Sequence, residues 1–253
     1  VQMTESTYRQ IEELTLNHWQ PLSTSLYDGW VLRFANGYSK RANSVQPIYT
    51  STLDVHEKII TCENIYNSNQ LSTIFKITPF VQPENIDELL QHRGYTVVDP
   101  TIVQLRNLDD LKAPDPLDIL IDEQLTDEWL HHLCRFGSVN EELRKTMSQM
   151  LRNVRAHTCF ISLSIEGQVV ACGLGVLERR VIGLHDIITD KAYRNRGLAE
   201  QMILHLLHWG KQRGAQSSYL QVVANNAPAR RLYEKLGYTD AYTYWYRVQK
   251  YTK

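Results

Sequence analysis

An α/β fold, with a mixed but mostly antiparallel sheet flanked by helices, is predicted for this chain by three observations. Short apolar runs with strand-like alternation recur through both halves. Between them lie segments with apolar residues at helical spacing, strongest over residues 198–212. A composition break at residues 112–118, where Pro114 and Pro116 disfavour helix and interrupt sheet, divides the 253 residues into parts that each have the length of a domain. The expected units are residues 1–113 and 114–253, the second carrying a complete α/β pattern.

In chain order, residues 8–16 read as helix, and residues 29–34 as a strand ending at the Asn36-Gly37 turn. A strand at 44–49, a helix at 53–66, a strand at 72–77 and a helix at 86–92 closed by Gly94 follow, then a strand over 95–105. After the break, a strand starts at 119–121, and two or three helical segments lie between 126 and 153. Residues 159–165 and 168–177 form a hairpin across Glu166-Gly167, and 181–189 add a third strand. Leu198, Met202, Leu206 and Trp209 make one stripe of the following helix, which stops at Gly214. A strand at 217–224, a helix at 227–235 and a strand at 241–249 complete the chain. Residues 89–96 and 232–239 share four of eight positions, each closing a helix with glycine before a strand, which suggests an internal repeat.

Formal charge is −1, so there is no global basic field of the kind that holds nucleic acid or an anionic membrane. The four cysteines lack C-x-x-C spacing, and no metal site is expected. Residues 1–19 are polar and helix-like, without the apolar core of a signal peptide, and no run is long enough to span a bilayer. A cytoplasmic protein, monomer or homodimer, is expected.

The chemistry concentrates in two segments. Residues 189–199, TDKAYRNRGLA, leave a strand and enter a helix whose first backbone N–H groups, from Asn195 to Ala199, lack intrahelical partners. Those donors and the helix dipole make an anion site, with Gly197 allowing close approach and Arg194 and Arg196 adding charge. The second segment, NNAPARRLYEKLGY at 225–238, places Ala229, Leu232, Tyr233 and Leu236 on one helical face. By itself Tyr233 reads as a core aromatic, and the arginines read as solvated.

Together, and in this order, Arg194-Asn195-Arg196-Gly197-Leu198-Ala199 and Asn226-x-x-Ala229-x-x-Leu232-Tyr233-Glu234-Lys235-x-Gly237-Tyr238 resemble the two signatures of the GCN5-related N-acetyltransferase (GNAT) superfamily. The resemblance covers roughly residues 119–253. It implies an acetyl-CoA-dependent N-acetyltransferase. Ile187, Ile188 and Thr189 would hydrogen-bond the pantetheine arm, residues 194–199 would hold pyrophosphate, Asn226 would bind the arm, and Tyr233 would protonate the leaving thiolate. The acceptor would be a primary amine on a small molecule, peptide or protein. His185 is the candidate base, matching a histidine of arylalkylamine-type members, with Asp186 and Glu178 as alternatives. Asp186 faces the other side unless a bulge changes the phase of the strand. The alternative function is an acyl-CoA-binding sensor without turnover.

Asp28-Gly29-Trp30-Val31-Leu32-Arg33 and Arg41-Ala42-Asn43-Ser44-Val45 resemble the first domain of bacterial tandem acetyltransferases. That resemblance implies two GNAT-like domains, the N-terminal one degenerate: Leu90 stands where Tyr233 stands, and no Arg-x-x-Gly-x-Ala loop is present. Such a domain would wall the acceptor pocket with Trp30, Arg33, Arg41 and Asn43, although singly Trp30 reads rather as core, Arg41 as solvated and Asn43-Ser44 as a turn.

Overall fold

The structure, a computed structural model, describes residues 5–252. After helix α1 (Glu5–His18) come β1 (Ser23–Tyr27), β2 (Trp30–Phe34), β3 (Val45–Gln46), α2 (Val55–Ser68), β4 (Thr73–Ile77), α3 (Ile86–His92) and β5 (Thr96–Asn107). The chain continues through β6 (Asp118–Asp122), α4 (Asp127–Gly137), α5 (Glu141–Asn153), β7 (His157–Ile165), β8 (Gln168–Glu178) and β9 (Val181–Thr189). It ends with α6 (Leu198–Gln212), β10 (Ser217–Val223), α7 (Ala227–Lys235) and β11 (Thr239–Gln249).

All eleven strands join one sheet in the order β1-β2-β3-β4-β11-β5-β10-β9-β8-β7-β6. The succession β-β-β-α-β-α-β runs from β1 to β5 and again from β7 to β11. Pairing repeats with it: β3–β4 and β9–β10 are parallel, while β4–β11, β5–β10 and the central β5–β11 pair are antiparallel. Each half therefore lends its last strand to the other, and the sheet is continuous through the expected boundary. The repeat noted at 89–96 and 232–239 falls on equivalent places, with Gly94 and Gly237 at φ 83° and 81° between helix and strand.

Local signals account for most elements. Thr126 and Asn140 cap α4 and α5 by accepting from the backbone N–H groups of Trp129 and Leu143. The α6 stripe is buried under the sheet with Cys159, Ile161, Val170 and Val222. Helix α4 covers the opposite face, where Trp129 and Leu133 meet Phe160, Cys172 and Leu174 and are joined by Trp19, Ala35 and Ala42 from the first half. One expectation changed, and one strand was not predicted. The strand at 44–49 shrinks to Val45–Gln46, because Pro47 has no N–H to donate and its carbonyl accepts from Gln82 N–H at 2.8 Å. Strand β1 carries no apolar alternation, since it lies exposed at the sheet edge.

Helix α1 packs across the seam where the halves meet, with Ile11 and Leu14 against Val103, Leu105, Tyr219 and Tyr242. Glu12 is buried there, paired with Lys76 on β4 and accepting from the Tyr242 hydroxyl at 2.6 Å. All four cysteines are buried free thiols. No helix among the described residues is long and apolar enough to cross a membrane.

Candidate active site

Strand β9 delivers the chain to an uncapped helix start. After Thr189, Asp190 accepts from Ala192 N–H at 3.0 Å and sets a 3-10 turn over Lys191–Tyr193. Arg194 Nε donates back to the Thr189 carbonyl at 3.3 Å. The loop then needs two left-handed residues, Asn195 at φ 61° and Gly197 at φ 75°. Gly197 occupies the N-cap position of α6, where no side chain caps the helix. The N–H groups of Leu198, Ala199 and Glu200 thus meet no protein acceptor among the described residues and point out of the helix start. A Cβ on Gly197 would touch nothing within 4 Å, so its conformation, rather than a steric limit, requires glycine.

Beside this helix start the sheet opens. Strands β9 and β10 pair only at Ser217↔Val181, Ser218↔Ile182 and Tyr219↔Gly183, and diverge beyond. Ile187–Thr189 at the free end of β9, the start of α6 and the inner face of α7 enclose a cleft of about 530 Å³. Ile187, Ile188, Thr189, Arg194, Asn195, Gly197, Leu198, Ala199, Asn226 and Tyr233 all line it, as the sequence led us to expect. Arg196 does not: its guanidinium lies over the Tyr193 ring at 4.9 Å. Asn226 caps α7 by accepting from Ala229 N–H at 3.3 Å, which leaves its amide donors for a ligand. The Tyr233 ring packs edge-on against Tyr238, 6.1 Å between centroids. Its hydroxyl has no hydrogen-bond partner among the described residues, and burial raises its pKa. An open V of two parallel strands, a bare helix N-terminus and a free phenol at one cleft fit the thioester arm and pyrophosphate of coenzyme A.

The other face of the splay is shaped by a bulge. Cys172 pairs with Ile188 and Leu174 with His185, so Asp186 and Ile187 together oppose Gly173. Asp186 takes φ 51° there, and the phase change brings it to the same face as His185. The two differ in character. His185 is 5% exposed and stacks on Trp19, its Nε2 3.5 Å from the Tyr219 hydroxyl, which in turn meets His18 Nδ1 at 2.9 Å. Burial, then the neighbouring His18 and Arg41, pull its pKa well below the ordinary value. Asp186 is partly buried, with its Oδ2 shielded and unpartnered. Burial pushes its pKa up to about 6, although the Arg41 guanidinium works against the rise. Glu178 is occupied at the far end of β8, accepting from Asn17 at 3.1 and 3.2 Å.

The family model described as "Probable histone acetyltransferase Rv0428c C-terminal" matches residues 5–247. The chain belongs to this family of GCN5-related N-acetyltransferases. As a GNAT protein it is an acyl-CoA-dependent acetyltransferase. It is 24% identical over 251 residues to the "Uncharacterized N-acetyltransferase YobR" of Bacillus subtilis, covering 96% of this chain and 98% of that one. A local match, 38% identical over 58 residues, links it to the ribosomal protein bS18-alanine N-acetyltransferase of Escherichia coli, covering 23% of this chain and 39% of the relative. Its fold is that of the GCN5-related N-acetyltransferase from Kribbella flavida, with a TM-score of 0.73, 15% identity and 95% of both chains covered.

In the acetyltransferase's first half α2 also follows three strands, and at its start the donors are filled from within. Asp54 caps α2, accepting from His56 and Glu57 N–H at 2.9 and 3.1 Å. Just before it, the Asp28 carboxylate accepts from the Thr52 and Leu53 N–H groups at 2.9 Å and pairs with Lys58 at 3.2 Å. The Leu53 N–H, foremost among several donors, holds that carboxyl well below the usual range. Leu90, which falls at Tyr233 when residues 89–96 are laid on 232–239, is core. Of the four residues suggested as acceptor-pocket walls, Trp30 is fully buried. Arg33 clamps the carbonyls of Leu16, Trp19 and Arg41, and Asn43 ties the loop by accepting from Ala35 and Gly37 N–H. Arg41 lines a cavity.

Proposed function

We propose that the protein transfers acetyl from acetyl-CoA directly to a primary amine, with Tyr233 donating a proton to the departing thiolate. The uncapped N-terminus of α6 carries this reading, because it opens into the same cleft as the unpartnered Tyr233 hydroxyl. Acetyl-CoA supplies the activated carbonyl. The N–H groups at the start of α6 take the pyrophosphate, and the β9 edge at 187–189 aligns the pantetheine arm. The bulge removes the Ile187 peptide from the regular ladder, and its N–H serves as donor to the carbonyl oxygen as charge develops there. One such preorganised donor contributes roughly 3 to 4 kcal/mol.

The attacking amine must be neutral, and Asp186 is the proton acceptor we assign. With a pKa near 6 its carboxylate is ionised at neutral pH, shielded from water and unpartnered. His185, the sequence-based candidate, is instead packed on Trp19 beside the Tyr219–His18 hydrogen bond. Tyr233, with its pKa raised by burial, stays protonated through the working range and is available as an acid.

The first half is read as a degenerate GNAT repeat, supported by the repeated element order and by the internal carboxylates at its helix start. The two units would then be residues 1–113 and 114–253 with exchanged last strands. Free buried thiols and acetyl-CoA as cosubstrate are consistent with a cytoplasmic enzyme. The test is calorimetric titration of acetyl-CoA into the parent and a Gly197→Glu variant, followed by an amine screen read by mass spectrometry. Binding lost in the variant, with acetylated product from the parent, is expected. Binding without transfer to any amine would leave an acyl-CoA sensor, and no binding by the folded parent would remove both readings.

A further inference from the structure

We propose that the acceptor is a small primary amine carrying an anionic group beside it, an α-amino acid or a molecule of that chemistry, with Arg41 as the partner of the anion. The proposal rests on the amine-acetyltransferase reading above and specifies its second substrate. A cavity of about 170 Å³ lies on the Asp186 face of the sheet, where the first half meets β5, β10 and β11. Its walls include Ser39, Arg41, Thr101, Gln221, Tyr244 and Tyr246.

Residues that line this cavity carry donors with no protein acceptor among the described residues. The Arg41 guanidinium has no carboxylate partner among the described residues and rests over the Trp19 ring at 5.0 Å. Gln221 Oε1 accepts from the Tyr244 hydroxyl at 2.6 Å, which leaves Gln221 Nε2 buried with no acceptor. The Tyr246 hydroxyl, also buried, feels the neighbouring Tyr244 hydroxyl but lies outside hydrogen-bonding geometry with it. Lys40, at the rim, is already neutralised by Asp99 at 2.7 Å. A guanidinium, an amide N–H and a phenol around one small space constitute an oxyanion site, since unpaired buried donors are costly unless a ligand meets them.

The site is also built rigidly. Arg33, 2% exposed, holds the Arg41 carbonyl at 2.9 Å, and Asn43 Nδ2 holds the Tyr38 and Ser39 carbonyls at 2.7 and 3.0 Å. Trp19 Nε1 donates to Ser39 Oγ at 3.0 Å, so the surface under the guanidinium is fixed too. Gln221 stands two residues beyond Tyr219, the neighbour of His185, which places the cavity along the strand from the bulge. An anion on Arg41 would leave an adjacent amine turned toward Asp186 and the splay. The opposite charges of Arg41 and Asp186 match the two ends of a zwitterion.

Acetyl transfer is to be followed by thiol release for L-amino acids, their amides, the decarboxylated amines, aminoalkylphosphonates and N-terminal hexapeptides. In the parent, acceptors with the anion are expected to exceed their amides in kcat/KM by about tenfold or more. The ratio should fall to near one in Arg41→Gln and recover in part in Arg41→Lys, with acetyl-CoA binding unchanged and thermal melts confirming folding. Transfer to carboxylates but not phosphonates, or the reverse, identifies which anion is read. Preference of the parent for amides, simple amines or peptides would overturn the inference and leave the proposed function standing. So would an undiminished ratio in Arg41→Gln. Acetyl-CoA binding with no transfer to any amine would overturn both.

Discussion

Replacing Tyr233 by phenylalanine removes one hydroxyl from the cleft and little else. The ring keeps its edge contact with Tyr238 and its packing under α6, and the lost hydroxyl has no protein partner whose hydrogen bond would be orphaned. Stability should therefore change by less than about 0.5 kcal/mol. Catalysis should change far more. A thiol has an ordinary pKa near 8.5, and a positioned proton donor at such a leaving group contributes about 10²-fold or more, equivalent to roughly 2.7 kcal/mol of barrier. The loss should fall on kcat, with KM for acetyl-CoA nearly unchanged, because the proposed contacts of α6 and β9 with that substrate do not involve the hydroxyl. The pH profile adds a second signature. Burial raises the Tyr233 pKa, so the acid is lost only as pH rises through a value above the usual tyrosine range, and the parent should retain its rate to high pH. Steady-state kinetics between pH 6 and about 10, with the variant's melting curve beside the parent's, measure all of this. A variant that matches the parent in kcat would refute the role and reduce Tyr233 to a lining residue.

Asp186→Asn should abolish the acid limb of kcat/KM, which in the parent rises through about pH 6 as the carboxylate forms, and should lower the rate at pH 7.5 by about 10²-fold. The same group affects stability with a definite sign: its folded pKa lies above the unfolded value, so its contribution is full below about pH 4 and is lost as pH rises through 6. Urea denaturation of the parent should show up to about 3 kcal/mol of that loss, and the variant should not. Gly183→Ala would put a Cβ 2.6 Å from His18 Nδ1 and from the Tyr219 ring, so it should destabilise by about 1 to 3 kcal/mol, read as a lowered denaturation midpoint. Lys76→Met would leave Glu12 buried without its cation, with an expected cost of about 3 kcal/mol or more; a wild-type midpoint would show that the pair does not anchor α1.

Most of the cleft was legible in the sequence because its signals are local. The bare start of α6, the glycine within it and the helical face of Ala229, Leu232 and Tyr233 depend on residues within a few positions of one another, so linear spacing predicts the geometry. Arg196 escaped this logic, because whether its side chain turns toward the cleft or onto Tyr193 is a rotamer choice set by packing. Asp186 was legible only conditionally: its face depends on a bulge opposite Gly173, and a one-residue change of phase reverses a strand's faces. Arg41, Gln221 and Tyr246 carry no mutual signal, since they are brought together only by assembly of the sheet.

The sequence by itself determined the α/β class, the order of all helices and strands after Trp30, and the uncapped start of α6, all consequences of apolar periodicity, capping and backbone preference over short spans. Tertiary structure alone decided that β11 lies between β4 and β5, that His18 from α1 reaches Tyr219 two hundred residues away, and that Arg41 faces the Asp186 side of the splay. The physical reason is that strand neighbours and register follow from burying both faces of one long sheet at once. That condition belongs to the whole chain, and no single segment contains it.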